Sequence, residues 1–225
     1  MLLRIITITL FIGSTITSYG NGYPVASDRA HRWQLRFDTG DLRFYRDQDT
    51  GDGYWLLVYE VTNETKEDHR WIPQFDLVTD KGEIIPDGDN VPRRVQLAVL
   101  DMFGDPLLES QSNASGPLLQ GKDHAIRAFA MWKAGEEEVR QVQIFAGGVS
   151  GDTAEVINPK TGEEEKLHRV LQLSWAVQGD VDKLALKPLT RRPLDDGTSV
   201  RQLSNRESSW ALYSDSTGTR KWIFR

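Results

Sequence analysis

The stretch Tyr54-Trp-Leu-Leu-Val-Tyr-Glu-Val-Thr62 decides the fold class of this chain of 225 residues. Trp55, Leu57, Tyr59 and Val61 occupy alternate positions in it, and aromatic and β-branched residues dominate. Because successive side chains of a strand point to opposite faces, this alternation predicts a β-strand with one strongly buried face.

Similar patterns lie on both sides of this stretch. Trp33, Leu35 and Phe37 alternate with polar residues, and Leu42 and Phe44 resume the pattern after a turn predicted over residues 38–41. A series of about nine short strands separated by turns is typical of an antiparallel sandwich or barrel. The later segments are strands expected over 71–79, 125–132, 138–146, 153–157 and 166–177, and a Ser/Gly/Asn-rich loop over 109–122.

One helix is expected to interrupt the strands, at about residues 92–103. Val95, Val99, Met102 and Phe103 recur at positions i, i+4, i+7 and i+8 and form one apolar stripe. Gly104 then favours termination, because glycine readily adopts the left-handed conformation that ends many helices. The sequence therefore predicts a helical insertion in a β-rich domain.

The N-terminal residues 1–20 have the pattern of a secretory signal peptide. Arg4 precedes an apolar run over residues 5–16, which is shorter than the roughly twenty residues that a membrane span needs. Ser18 and Gly20 are small residues suited to cleavage before Asn21; a strand or short anchor helix is the alternative. We therefore expect export to the periplasm or exterior of a bacterium, with no membrane span after cleavage.

The composition excludes several function classes. The chain has 27 basic and 33 acidic residues, a net charge of −6, which argues against nucleic acid as a partner. It has no cysteine, which excludes thiol nucleophiles, thiolate metal sites and disulfides. Four histidines leave little material for a histidine-built metal site, and the serines lack a Gly-x-Ser-x-Gly motif.

The chain divides into a predicted β-sandwich domain, residues 21–179, and a C-terminal extension, residues 180–225. Residues 178–225 carry nine basic and six acidic residues, whereas the whole chain is acidic. The chain ends in Lys221-Trp-Ile-Phe-Arg225, which is too apolar to be left in water without cost. We expect this end to be a strand docked on the acidic body, after a partly irregular segment.

Two sets of residues are candidate binding sites. Asp47, Asp49 and Asp52 lie in a glycine-containing turn, where carboxylates two residues apart can converge on calcium; a solvated acidic turn is the alternative. Trp210 and Trp222 are candidates for a partner surface, because the other five tryptophans are expected in strands, most of them in the core. Apart from this possible calcium site, the sequence indicates no cofactor.

The blocks Tyr54–Asn63, Phe75–Glu83 and Leu118–Gly121 resemble bacterial exported immunoglobulin-like domains, with a strand ending in V-x-N-x-T, a strand reading F-x-L-x-x-D-x-G and a later L-x-x-G. The tail Lys221–Arg225 is similar to that of a family of exported proteins of unknown function. This resemblance implies an immunoglobulin-like sandwich, with the helix at 92–103 as a departure. It implies no catalytic residue.

Together these observations predict a mainly β protein, an immunoglobulin-like antiparallel β-sandwich with one inserted helix and a C-terminal extension. The expected function is a non-catalytic binding or structural module of the bacterial cell envelope, whose partner is an envelope protein or a glycan. The alternative is a hydrolase acting on polysaccharide, with two carboxylates about 5–10 Å apart that only the fold brings together.

Overall fold

The computed structural model describes residues 23–135, 138–177 and 219–225. Two β-sheets pack face to face, and the side chains between them form one large apolar core. This architecture confirms the predicted mainly β sandwich. The predicted boundaries at residues 20 and 179–180 lie outside the described residues.

The first sheet has four strands in the order β1-β2-β8-β6, and the second has six. In the second sheet the order is β10-β11-β9-β4-β5, and β12 pairs with β11. Strands β3 and β7 form a separate pair. The strands are β1 (Arg36–Arg46), β2 (Gly53–Thr62), β3 (His69–Trp71), β4 (Gln74–Thr79), β5 (Ile84–Pro86), β6 (Leu108–Ser110), β7 (Gly116–Leu118), β8 (Ile126–Lys133), β9 (Gln141–Gly147), β10 (Thr153–Ile157), β11 (Glu164–Ala176) and β12 (Thr219–Phe224).

Both faces of the central strand β2 are buried. Trp55 and Leu57 face the core between the sheets, whereas Tyr54, Leu56 and their neighbours belong to a second apolar cluster on the outer face of the first sheet. Helix α1 (Arg93–Phe103) covers that second cluster. The inserted helix thus completes a layer that a two-sheet sandwich would leave exposed to water.

Helix α1 begins and ends close to the predicted residues. Val95, Val99 and Phe103 are its buried residues, as the spacing of the apolar stripe requires. It ends at Gly104, which has φ of 59° and donates its N–H to the Leu100 carbonyl. The predicted helix over 92–103 is therefore confirmed.

Three local predictions were wrong. The strand predicted over 71–79 is two strands, β3 and β4, which belong to different sheets. The turn predicted over 38–41 is a bulge inside the single strand β1, because the pairing with β2 resumes after a register shift between Thr39 and Leu42. The loop predicted over 109–122 contains β6, the short helix α2 (Gln111–Ala114), β7 and a 3-10 turn at Lys122–His124. These short polar segments have no periodicity, and pairing with neighbouring strands gives them their structure; β6 pairs parallel to β8.

The last strand closes one edge of the sandwich. β12 lies along β11, with Trp222 opposite Leu171 and half-buried against the core. On the same face, the Arg220 guanidinium donates to the Phe37 carbonyl of β1. Strand β12 therefore joins the two sheets at this edge.

Candidate functional site

A large concave surface lies on the outer face of the second sheet, and we call it the cationic groove. It has a volume of about 640 Å³, within the range of about 300–1,000 Å³ that small-molecule sites occupy. Its basic lining residues are Arg32, Arg70, Lys166, His168, Arg169 and Arg225, and its apolar lining includes Ile72, Phe145 and Val170.

Strand alternation places these side chains together. Leu171 and Leu173 of β11 face the core, so Lys166, His168 and Val170 of the same strand face outward. Residues two apart on one face of a strand are separated by roughly 6.6 Å. The outer face of β11 therefore presents two cationic or titratable groups in a short row.

Arg225, which follows β12, completes the groove. The backbone of Arg225 exchanges two hydrogen bonds with His168, of 2.8 and 2.9 Å. Its guanidinium lies 4.4 Å from the centre of the Phe145 ring and 3.1 Å from an Asp76 carboxylate oxygen. This ion pair offsets the positive charge of Arg225.

The other cations of the groove have no such partner. The side chains of Arg32, Arg70 and Lys166 are exposed, and none pairs with a carboxylate elsewhere in the part of the chain that the structure describes. Glu155 lies opposite Lys166 in the β10–β11 register and is itself exposed. Asp76, the one carboxylate among the lining residues, forms an ion pair with Arg225. The groove thus carries an excess of positive charge on a protein whose net charge is negative.

A buried arginine of β11 is also among the residues that line the groove. Arg169 is 1% exposed, and its guanidinium donates to Gln34 Oε1 at 2.8 Å and to the Ser27 carbonyl at 2.8 Å. It also lies 3.8 Å from the centre of the Trp222 ring, so carbonyl dipoles and an aromatic face replace its hydration. Burial lowers the pKa of Arg169. This residue holds the N-terminal segment against β11 and β12.

A second contact fixes the edge of the groove at Arg32. The buried Asp152 carboxylate accepts the backbone N–H groups of His31 and Arg32, at 2.8 and 2.7 Å. The adjacent Trp33 ring stacks on His69 with 4.4 Å between ring centres, and a side chain at Gly151 would collide with that indole. The hydrogen bonds to Asp152 and the packing of Trp33 therefore fix the backbone position of Arg32.

A smaller concavity, which we call the Asp87 pocket, lies on the side of the molecule that carries α1 and α2. Its volume is about 340 Å³. Asp87 lies in it partly buried, and its Oδ1 accepts the Met131 N–H at 2.5 Å. Burial raises the pKa of Asp87 to about 7. The rest of the lining consists of Gly88, Gln96, Ser110, Gln111, Ser112, Ser115 and the apolar residues Pro73, Phe129 and Met131.

The predicted calcium residues lie in the hairpin between β1 and β2, where basic side chains already contact them. The buried Asp47 carboxylate lies 2.6 Å from Arg94 Nη2 and accepts the Thr50 hydroxyl at 2.7 Å. Hydrogen bonding to Arg94 holds the pKa of Asp47 well below its usual range. Asp49 is 3.4 Å from Arg94, and Asp52 is 3.4 Å from Lys133.

These contacts give the calcium prediction no support. Within residues 23–135, 138–177 and 219–225, no group of three or more His, Asp or Glu side chains is placed to hold a metal ion. Calcium binding at Asp47, Asp49 and Asp52 stays a prediction.

The predicted partner-binding tryptophans have different outcomes. Trp210 lies outside the described residues. Trp222 is half-buried, with its ring against the Arg169 guanidinium and the core. Its role in binding a partner stays a prediction, and the structure gives it a packing role.

Sequence reasoning missed the cationic groove because its residues are dispersed between positions 32 and 225. The alternation in β11 was the one available signal, since a strand that buries Leu171 and Leu173 must turn Lys166 and His168 outward. Nothing in the sequence could place Arg32, Arg70 and Arg225 beside them, because three different elements supply these residues.

Comparison with known proteins gives no family for this chain. No protein-family model matches it, and neither a curated protein nor a solved structure matches it either. Within the described ranges, no helix has both the length and the apolar character needed to cross a membrane.

Proposed function

We propose that this protein is a non-catalytic binding module of the bacterial cell envelope and that its cationic groove binds an acidic polysaccharide. One observation carries the proposal: Arg32, Arg70 and Lys166 line one groove without a carboxylate partner among the described residues, on a protein of net charge −6. Like charges held near one another favour a ligand of opposite charge.

The chemistry of the groove favours carboxylate groups on a carbohydrate chain. Arginine binds carboxylates through paired, charge-assisted hydrogen bonds, and Arg32 and Arg70 can both do so. The apolar surfaces of Ile72, which is 49% exposed, and of Trp33 can pack against the C–H groups of a sugar ring. A chain of uronic acid residues presents both features in a repeating form.

A large protein partner is less well supported by the described surface. A stable protein interface buries about 800 Å² on each partner around an apolar centre. Here the exposed large apolar side chains are distributed over loops, strands and α1. They are Tyr23, Val25, Ile72, Ile84, Leu97, Leu107, Leu119 and Ile157.

No specific observation favours the alternative of a polysaccharide hydrolase. Most glycoside hydrolases need two carboxyl groups flanking the bond that breaks. Among described lining residues, the cationic groove has only Asp76, which is paired with Arg225, and the Asp87 pocket has only Asp87. Each of these two concavities thus offers one carboxyl group. A third concavity, of about 300 Å³, has Asp38 and Glu64 in its lining, and both are already in ion pairs with one arginine, at 2.7 and 3.4 Å. This arrangement supports binding without hydrolysis.

The proposed location in the envelope has a separate basis. It depends on the signal-peptide pattern of residues 1–20, which lie outside the described residues. An immunoglobulin-like arrangement is a further part of the proposal, supported by the two packed sheets and by the motifs over residues 54–83.

The binding proposal is tested by calorimetry of the purified protein with polygalacturonate, using fully methyl-esterified pectin as a ligand without the charges. The test variant combines Arg32→Gln, Arg70→Gln and Lys166→Gln. The matched control combines Lys81→Gln, Arg93→Gln and Lys160→Gln, three exposed cations outside the groove. Both variants lose three positive charges, so the comparison isolates position from net charge.

We expect polygalacturonate to bind, esterified pectin not to bind, and affinity to fall as salt screens the charges. The groove variant should lose affinity at least roughly tenfold, because three charge-assisted contacts are removed, and the control variant should not. Equal affinity for the two polymers, or equal losses in the two variants, would overturn the proposal. Absence of binding alongside tight binding to an acidic peptide or to anionic lipid vesicles would also overturn it.

A further inference from the structure

The Asp87 pocket contains a partly buried carboxyl group that has no cation of the described residues beside it. The Asp87 side chain receives the Met131 N–H, and its backbone N–H donates to the Phe75 carbonyl, so its position is fixed. No Lys, Arg or His of the described residues forms an ion pair with it, in contrast to Asp47. Partial loss of hydration disfavours the ionised carboxyl group unless a ligand supplies the opposite charge.

The remaining polar lining is rich in hydrogen-bond acceptors. Gln111 has a buried side-chain oxygen that accepts no hydrogen bond from the described residues. Ser110 and Ser112 line the same pocket, with their hydroxyl oxygens 3.1 Å apart. A carboxylate, an amide oxygen and hydroxyl oxygens suit a group that carries several N–H donors and a positive charge.

We propose that the Asp87 pocket binds a small primary ammonium compound, with the Asp87 carboxylate as its counter-ion. An ammonium group has three donors, which matches the acceptors that line the pocket. The apolar side chains of Phe129 and Met131 in the same lining give a surface for a short aliphatic chain. A volume of about 340 Å³ suits a small molecule rather than a polymer.

Other ligand classes fit this lining less well. A metal ion would need further carboxylates, and the described residues place no group of three metal-binding side chains anywhere. The negative charge of Asp87 would repel an anion, and the described lining has no cation to offset that repulsion. A neutral alcohol would leave the carboxylate without a counter-ion.

Binding of an ammonium group must depend on pH, because only the ionised carboxyl group attracts it. The raised pKa of Asp87 predicts that affinity increases from pH 5 to pH 8, while a primary amine stays protonated. The neighbouring titratable groups are Tyr59 of β2, whose pKa is raised by burial and by the charge of Asp87, and Glu109 of β6, which acts on Tyr59. Tyr59 remains protonated over this range, so Asp87 is the group that titrates.

The experiment follows the backbone amide signal of Met131 by NMR, because this N–H donates directly to Asp87. A pH titration is made without ligand and with butylamine, butanol or butyrate at the same high concentration. These probes share a four-carbon chain and differ in charge. In the free protein the signal should titrate with a midpoint near pH 7.

We expect butylamine to lower that midpoint by about one pH unit, which corresponds to tenfold tighter binding to the ionised form. Butanol and butyrate should leave it unchanged. No change with butylamine would overturn the proposal, and so would an equal effect of butanol, which would indicate a site for neutral polar ligands.

Two variants provide a second measurement. Asp87→Asn should lose butylamine binding, whereas Asp89→Asn, an exposed aspartate two residues away, should keep it. Full binding by Asp87→Asn would contradict the assignment. If Asp87→Asn does not fold, the titration of the unaltered protein still decides the question, and its failure would leave the separate proposal for the cationic groove intact.

Discussion

Asp47 in the β1–β2 hairpin and Asp87 in its pocket are both aspartates, but their surroundings shift their pKa values in opposite directions. Asp47 is buried beside Arg94, and its pKa falls; Asp87 is partly buried with no described cation beside it, and its pKa rises to about 7. The difference shows that the partner, rather than burial alone, decides the state of a carboxyl group. A carboxyl group that already has a partner is a poor candidate for a binding site, and one without a partner is a better candidate.

The largest expected effect concerns Arg169, a buried charge that neutral hydrogen-bond acceptors and an aromatic ring surround. Arg169→Ala should lower the free energy of unfolding by about 3 kcal/mol, because it opens a cavity and leaves Gln34 and the Ser27 carbonyl without a donor. Urea unfolding measures this, with Arg70→Ala as an exposed control from the same groove that should change it by less than about 0.5 kcal/mol. A loss below about 1 kcal/mol for Arg169→Ala would show that Arg169 is not a structural residue.

The second largest expected effect is an increase in the free energy of unfolding. Asp87→Asn should stabilise the protein at pH 8 by about 2 kcal/mol and leave it almost unchanged at pH 3, because asparagine is neutral and still accepts the Met131 N–H. In the unaltered protein the folded-state pKa exceeds the unfolded value, so the stability that Asp87 contributes is present below about pH 4 and is lost as pH rises through about 7. Urea unfolding at both pH values checks this, and Asp89→Asn is the control. A pH dependence that survives in Asp87→Asn would contradict the prediction.

The strands could be predicted from the sequence because burial in a two-sheet sandwich follows a local period of two. Trp55 and Leu57 on one face, and Val95 and Val99 on α1, carry that information within a few residues. The parallel pairing of β6 with β8 could not be predicted in this way, because a segment of three residues is too short to show a period of two and becomes a strand only when a neighbour supplies the hydrogen bonds. The bulge in β1 was missed for the same reason.

The candidate sites were harder to predict than the fold. The aspartates of the hairpin are close in sequence and were visible at once, but whether Arg94 would reach them depends on how α1 packs. The residues of the cationic groove come from five separate segments, and the significance of Asp87 comes from what is absent around it in the described structure. Both facts depend on the tertiary arrangement, which local patterns do not contain.

A smaller effect should follow from separating Asp47 from its partner. Arg94→Gln should lower the melting temperature by a few degrees at pH 7, because the buried carboxylate keeps only the Thr50 hydroxyl and the Asp49 N–H. The folded-state pKa of Asp47 lies below the unfolded value, so the stability of this pair is present above about pH 4 and is lost as pH falls further. The difference in melting temperature between the variant and the unaltered protein should therefore be smaller at pH 3 than at pH 7. Arg93→Gln, an exposed neighbour, is the control. A loss of melting temperature as large at pH 3 as at pH 7 would show that Arg94 acts through packing instead.

The smallest expected effect is that of calcium on the hairpin. A ligand that binds only the folded state must raise the melting temperature, and an ion at Asp47, Asp49 and Asp52 would first have to displace Arg94 and Lys133. We therefore expect no change at millimolar calcium in a thermal unfolding experiment. A rise that disappears in Asp49→Asn, which changes the most exposed of the three carboxylates, would show that the ion does displace the arginine. That result would reverse the comparison between the two regions, because the paired carboxylates would then form the binding site.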